Sequence, residues 1–445
     1  MAQRLQTHYR NANFRVSVSE RLLNRMVPQQ PAMNQPYRDK ILGADVVGQN
    51  RITNQLQISL IPDPEQISMK LETFGKVDSR TTASRSGIVV ENEGTSRFRI
   101  IKRLAFGQQG IFAYRPQTTS QVAQKIVGLR SNLDKIPPLG WVARRIAENK
   151  IAEQAPATKR YTQQKLETSA ENIFNREVEK MLHDLESSLT TNLLHPLIAM
   201  DLEPDPVQIS TTAERINMRY RMAGRDQMGA STARPRGVPT SLFSMQIHQS
   251  AINNTLNRFE LASKKFTTEE LVAYVNQTFG EGFVQLDSSS SKKPAKFEFA
   301  PFDPIRIDFE EQQIAITISL RSFQIGKGKR WKNLVIKTIY DPYVVSGFDI
   351  GLVQSEEGLR VKGKRLNVGD QLAIGVICEV LFPEQFQLAM MPAQLAQQLK
   401  IGNATTNQFV VSNGWVGVSV DDRMPVGQPQ YNRQQSARDQ SQRRR

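Results

Sequence analysis

The sequence predicts an α+β protein in which long helices pack on highly twisted antiparallel sheets. Three observations predict it. Paired runs of alternating apolar and polar residues occur three times, a helix-like segment precedes each pair, and further strands follow with short turns between them.

The paired runs read as β-hairpins. The first is Leu56–Leu60, a turn at Pro62–Pro64, and Ile67–Leu71. The second is Val207–Ser210 with Ile216–Tyr220. The third is Ile305–Phe309, a turn at Glu310–Gln312, and Ile314–Ile318. Period two gives each strand one buried and one wet face.

The helices come next. Phe14–Asn24 aligns with Phe243–Asn253, and both read as a short strand feeding a helix. Ser17 with Glu20, or Ser19 alone, is expected to cap the first. His248 aligns with Ser19, which points to a helix start and not to a catalytic base. A capping box at Thr168 and Glu171 is expected to open a longer helix, which Pro196 closes. Its stripe is Phe174, Val178, Met181, Leu185 and Leu189. A second box at Thr267 and Glu270 leads into Leu271, Val272, Tyr274 and Val275, ending at Gly280.

Further strands are expected at Gly87–Val90, Ser96–Ile101, Leu334–Ile339, Phe348–Leu352, Leu359–Val361, Gln371–Phe382 and Gln408–Val420. Cys378, the single cysteine, then reads as a small buried strand residue. The domains that follow are a first module over 14–112, a basic connector over 113–165 with some helix near Ala143–Glu153, and a larger module over 166–426. A Gln- and Arg-rich tail over 427–445 is expected to be disordered, and the Ser288–Pro294 loop mobile.

Charge narrows the partners. Among 445 residues, Lys and Arg number 58 against 43 Asp and Glu, a net charge of +15. That surplus favours an anionic partner: acidic lipid, lipopolysaccharide, wall polymer or nucleic acid. Only three Trp are present, and no aromatic platform suits bases, which counts against nucleic acid. Two basic clusters are the candidate anionic-surface contacts. One is Lys327, Lys329, Arg330, Trp331 and Lys332; the other is Arg360, Lys362, Lys364 and Arg365. The alternative for both is a solvated hairpin turn.

Catalysis finds no support. The histidines are His8, His183, His195 and His248. His183 and His195 would stand about 18 Å apart on one helix, too far to share a metal. No phosphate loop, His-Glu-x-x-His or Gly-x-Ser-x-Gly motif is present. Asp201, Glu203 and Asp205, interleaved with Pro, read as a polar turn and not as a calcium site. No catalytic residue, metal or cofactor is expected. No stretch is long and apolar enough to span a membrane. The first residues lack the apolar core of a signal peptide, so a cytoplasmic location is expected if Met1 is the true start.

The Phe14–Asn24 stretch, followed by Ile58-Ser-Leu and Met69-Lys-Leu, resembles the tubular lipid-binding (TULIP-like) modules of bacterial envelope proteins. The wider layout is similar to uncharacterised planctomycete-type secreted proteins. Its matching stretches are Gly75–Asp78, Ser96–Phe98, Gln246–Asn253, Lys364–Asn367 and Gly414–Gly417. The resemblance implies a non-enzymatic binding protein in the periplasm or envelope. It would hold a lipid or other apolar ligand against Phe174, Val178, Met181, Leu185 and Leu189. The alternative is a structural or interaction protein with a solid core. Less favoured is a polyanion binder.

Overall fold

The computed structural model describes residues 11–27, 31–107, 110–132, 139–189, 204–279, 295–310, 312–346, 349–378, 382–389 and 404–422. The predicted tail at 427–445, the loop at 288–294, Pro196, Gly280, His8 and His195 lie outside them. So do Asp201 and Glu203. The chain divides into two compact units: a first, Ser17–Tyr220, and a second that joins Met1–Val16 to Arg221–Arg445.

Strand β1 (Phe14–Ser19) leads into helix α1 (Glu20–Met26). Then come β2 (Met33–Ile41), β3 (Ala44–Leu60), β4 (Ile67–Arg85), β5 (Ile88–Gly107), β6 (Gly110–Ala113) and β7 (Gln117–Ser131). Helix α2 (Leu139–Leu189), β8 (Pro204–Thr211) and β9 (Arg215–Met222) follow. The antiparallel sheet has the order β2-β3-β4-β5-β6, with β7 also on β5. The first predicted hairpin is the end of a much longer ladder, which runs from Leu60 opposite Met69 to Asp45 opposite Ser84. The strands predicted at Gly87–Val90 and Ser96–Ile101 belong to one strand, β5.

One face of this sheet is the core. Leu71, Val77, Phe98, Ile100 and Leu104 pack with Phe174 and Val178 of α2. Polar bonds fix the middle of the helix. Lys102 Nζ donates to Asn175 Oδ1 at 2.6 Å, and Ser120 Oγ to Glu167 Oε1 at 2.9 Å. Lys165 Nζ lies 2.6 Å from Asp39 Oδ1. Burial alone would raise the Asp39 pKa; the Lys165 bond leads the effects that outweigh it and hold the carboxyl below its ordinary range.

Two expectations fail here. The stretch read as a connector over 113–165 is β7 and the first half of α2. The predicted boundaries at 112 and 166 therefore do not divide the units. Most outward residues of both elements are polar and the exposed apolar ones keep no regular spacing, so apolar periodicity is weak; strong helix formers such as Ala, Glu, Lys and Gln carry the helix upstream. Thr168 accordingly caps nothing. It sits inside α2, where its Oγ1 donates to Gln164 O at 3.0 Å.

The second unit contains β10 (Phe243–His248), α3 (Gln249–Arg258), β11 (Lys265–Thr267), α4 (Thr268–Phe279), β12 (Ala295–Phe299), β13 (Ile305–Glu310) and β14 (Gln313–Ile325). After these come β15 (Arg330–Ser346), β16 (Asp349–Gln354), β17 (Arg360–Lys362), α5 (Val368–Cys378), β18 (Gln385–Ala389), β19 (Thr405–Ser412) and β20 (Trp415–Asp421). The main sheet runs β11-β12-β14-β15-β16-β18, with β13 on β14 and β17 on β15. Its core joins Phe297, Phe323, Leu334 and Ile336 to Leu271 of α4 and Ile374, Ile377 and Cys378 of α5. The Thr267–Glu270 capping box is formed, with both reciprocal bonds in place.

Cys378 is buried, but in a helix and not in the predicted Gln371–Phe382 strand. Asn367 and Asp370 cap that helix reciprocally. A short apolar run fits a buried strand or a buried helix equally, and here the cap decides.

The same hydrogen-bonded device occurs once in each unit. Asn24 Oδ1 accepts from Ile58 N at 2.8 Å while its Nδ2 donates to Ile58 O at 2.7 Å. Glu20 Oε2 accepts from Leu60 N at 2.8 Å. In the second unit Asn253 bonds both backbone groups of Ile307 at 2.8 Å, and Gln249 Oε1 accepts from Phe309 N at 2.9 Å. Residues four apart share a helix face, so one short helix seals two positions on a strand edge. Asn24→Ala or Asn253→Ala removes two such bonds and leaves part-buried backbone groups without them. Each substitution is expected to cost about 2–3 kcal/mol in urea unfolding.

The helix starts differ instructively. Ser19 Oγ accepts from Leu22 N, and His248 Nδ1 accepts from Ser250 N. His248 is 3% exposed, edge-on to Trp415, and its pKa is pushed down to about 4 by burial. A base whose folded pKa lies below its unfolded value, about 6.5, confers full stability above that pH. Stability is lost as pH falls from about 6.5 towards 4, amounting to about 3 kcal/mol. His248→Ser keeps a cap and removes the titration. The stability gap between wild type and variant should therefore narrow by that amount between neutral pH and pH ~4, measured by chemical denaturation.

Candidate functional site: cationic sheet faces

The outer face of β4 and β5, opposite α2, concentrates positive charge. Period two sends Leu71 and Val77 into the core and Lys70, Glu72, Phe74 and Lys76 outward. On β5, Phe98, Ile100 and Leu104 point inward, so Arg97, Arg99 and Arg103 point outward. The register then sets like charges against each other: Lys70 faces Arg103 and Lys76 faces Arg97. Directly opposed like charges destabilise a sheet, so folding alone does not favour this arrangement.

Two acids neutralise part of the surface. Glu72 pairs with Lys70 at 2.9 Å and with Arg99. Burial would raise the Glu72 pKa, but these two cations outweigh that and hold it low. Asp78 pairs with Lys76 at 2.8 Å. Arg97 and Arg103 are exposed and make no ion pair with a described residue. Between the cations stands Phe74, 45% exposed, with the Arg99 guanidinium 5.5 Å from its ring centre. An open groove of about 430 Å³ runs beside it, lined by Gln55, Phe74, Lys76 and Arg97 among others. Gly75 is required here, because a Cβ would lie 1.9 Å from the Phe98 ring.

Sequence reasoning misses this face. Its signal is the alternation of Arg97 and Arg99 around buried Phe98. Only the register adds Lys70 and Lys76 from the neighbouring strand.

The two basic clusters evident in the sequence lie in the second unit. Pairing of β15 with β17 places the second cluster on the strand that carries Arg330–Lys332 at its start: Lys337 faces Arg360, and Val335 faces Lys362. Part of the cluster is engaged internally. Lys329 pairs with Asp370 at 2.7 Å, and Arg330 with Glu298 at 2.8 Å. The Lys329 bond is the leading cause of a lowered Asp370 pKa. Arg360 pairs with Glu357 at 2.9 Å. Trp331 is half-buried on the core, its ring 6.0 Å from Phe323, and so does not stand out as a surface anchor. Lys327, Lys332, Lys362, Lys364 and Arg365 are exposed without an ion pair to a described residue. On α5, Leu372 is 65% exposed, and Val368 and Val376 are also exposed.

The expected groove lining is placed differently. Phe174 and Val178 are buried in the sheet. Met181 is 40% exposed, and Leu182 takes its place against the core. The side chains of Leu185 and Leu189 lie outside the described residues. His183 is exposed. Among the described residues no group of three or more His, Cys, Asp or Glu could hold a metal. Among them, too, no helix is long and apolar enough to cross a membrane.

No family model and no curated protein matches the chain. Among solved structures, the crystal structure of lipopolysaccharide binding protein aligns at a TM-score of 0.31 and 11% identity, over 92% of this chain and 98% of that one. Likeness at that level carries no argument about fold or ligand.

Proposed function

We propose that this chain is a non-catalytic binding protein of the cell envelope that engages anionic lipid headgroups through the outer faces of its sheets. The main sheet of each unit has helices on its inner side, a TULIP-like arrangement built from two copies of one module. The shared clamp, Glu20 and Asn24 in one unit and Gln249 and Asn253 in the other, supports the duplication. Burial of Phe174 and Val178 favours a solid interior over a lipid-filled one.

One observation carries the reading: Lys70 against Arg103 and Lys76 against Arg97, with Arg97 and Arg103 exposed. Such opposition is relieved when phosphate groups lie over it. The test is flotation of the full chain with phosphatidylglycerol-containing vesicles and with phosphatidylcholine alone, at rising salt. Tighter binding to the first than to the second, weakened as salt screens the charge, supports the proposal. Equal binding to both, or none, refutes it.

A further inference from the structure

The first turns of α2 carry an outward surface that a water-facing helix ordinarily lacks. Trp141 is 66% exposed and Ile146 59%, with Val142 exposed beside them; Ala147, one position on, is buried. Apolar residues therefore occupy the side that should be polar.

More apolar surface lies at the same end of the sheet. Gln163 and Glu167 bond Ser120 of β7. From Gln163 back to Trp141 the helix spans about 33 Å, and β7 spans about 36 Å from Ser120 to Ser131. β7 ends at Ser131 and α2 begins at Leu139, so the short stretch between them ties these two ends to one end of the sheet. Ser131 faces Ile88 there, Asn132 N donates to Gly87 O, and Arg85 Nη1 donates to Leu42 O at 2.6 Å. Leu42 in the β2–β3 turn is exposed, as are Ile126 and Val127 at the irregularity where β7 leaves its register with β5.

Basic side chains surround this surface. Arg85, Lys125, Arg130, Arg144, Arg145 and Lys150 are exposed. The Arg145 guanidinium lies 5.6 Å from the Trp141 ring centre. Arg130 pairs with Glu91.

We propose that this end of the first unit inserts Trp141, Val142 and Ile146 into the interface of an anionic phospholipid bilayer. Trp favours the headgroup layer, aliphatic neighbours sink below it, and Arg and Lys remain with the phosphates. A second copy of the chain is the poorer occupant, because two such surfaces would set cations against cations. The inference goes beyond headgroup capture by β4 and β5: an inserted apolar surface holds when salt is raised, and a purely ionic one does not.

Tryptophan emission tests it. Trp415 is buried and Trp331 half-buried, which leaves Trp141 as the reporter of a new environment. Full-length protein is titrated with phosphatidylglycerol-containing vesicles, phosphatidylcholine vesicles and soluble polyphosphate. The expected result is a blue shift with the first alone that survives high salt and is absent in Trp141→Phe. Ile146→Glu should weaken vesicle binding about tenfold at high salt. Both positions are exposed, and unchanged far-UV circular dichroism confirms folding. Vesicle binding without a shift overturns the insertion while leaving headgroup capture intact. A shift that appears without vesicles as protein concentration rises assigns the surface to self-association and also overturns it. No vesicle binding at all overturns both proposals.

Discussion

Phe174→Ala is expected to lower the stability of the chain by about 3–5 kcal/mol, the range for deleting a buried aromatic ring. The ring is 6% exposed and belongs to the core cluster that also holds Leu71, Phe98 and Ile100 of the sheet. Its loss leaves a cavity that a long helix, held by Lys165 and Asn175 on either side, has little freedom to close. Met181→Ala, two turns on and 40% exposed, is expected to change stability by less than about 0.5 kcal/mol. Urea unfolding followed by circular dichroism reads both. The pair of results matters because it separates two kinds of interior. A cost below about 1 kcal/mol at Phe174 would mean loose packing and would restore the lipid-filled reading.

Arg97→Glu combined with Arg103→Glu should separate binding from stability. A basic group near an anionic bilayer contributes about 1 kcal/mol, so reversing two charges removes about 4 kcal/mol, or about three orders of magnitude in affinity. The same reversal turns two repulsive cross-strand pairs, with Lys76 and Lys70, into attractive ones. Each gain is on the order of 0.2–1 kcal/mol, so the variant should unfold at slightly higher urea than wild type. Vesicle binding measured beside unfolding tells the two roles apart. A residue that serves only the fold would move both quantities down together.

Period two and capping boxes make much of the fold legible. Ile58 opposite Leu71 and Phe309 opposite Ile314 are hairpins whose wet and dry faces show in one strand at a time. The Thr267–Glu270 box announces α4 for the same local reason. What fails depends on partners distant in sequence. β7 lacks a regular apolar alternation and is a strand because β5 offers it a ladder. The upstream half of α2 has weak apolar spacing, and the helix is tied to the sheet just beyond it through Lys165–Asp39 and Glu167–Ser120. The helix stripe drifts because residues four apart, Phe174, Val178 and Leu182, face the sheet, where the sequence spacing predicts Met181.

The candidate site is half legible. Lys327–Lys332 and Arg360–Arg365 stand out as runs, and β15 and β17 place them on neighbouring strands. The fold also shows which members are consumed: Lys329 by Asp370, Arg330 by Glu298, and Trp331 by the core. Opposed cations on β4 and β5 never form a run. They exist only once the two strands are set in register.

Arginine-selective labelling of the full chain, with and without phosphatidylglycerol vesicles and read by peptide mass spectrometry, tests the headgroup site most directly. Arg97 and Arg103 should lose reactivity when vesicles are bound, in proportion to the fraction of protein on the membrane. Vesicle-bound protein in which both arginines label as fast as in free solution would contradict the account.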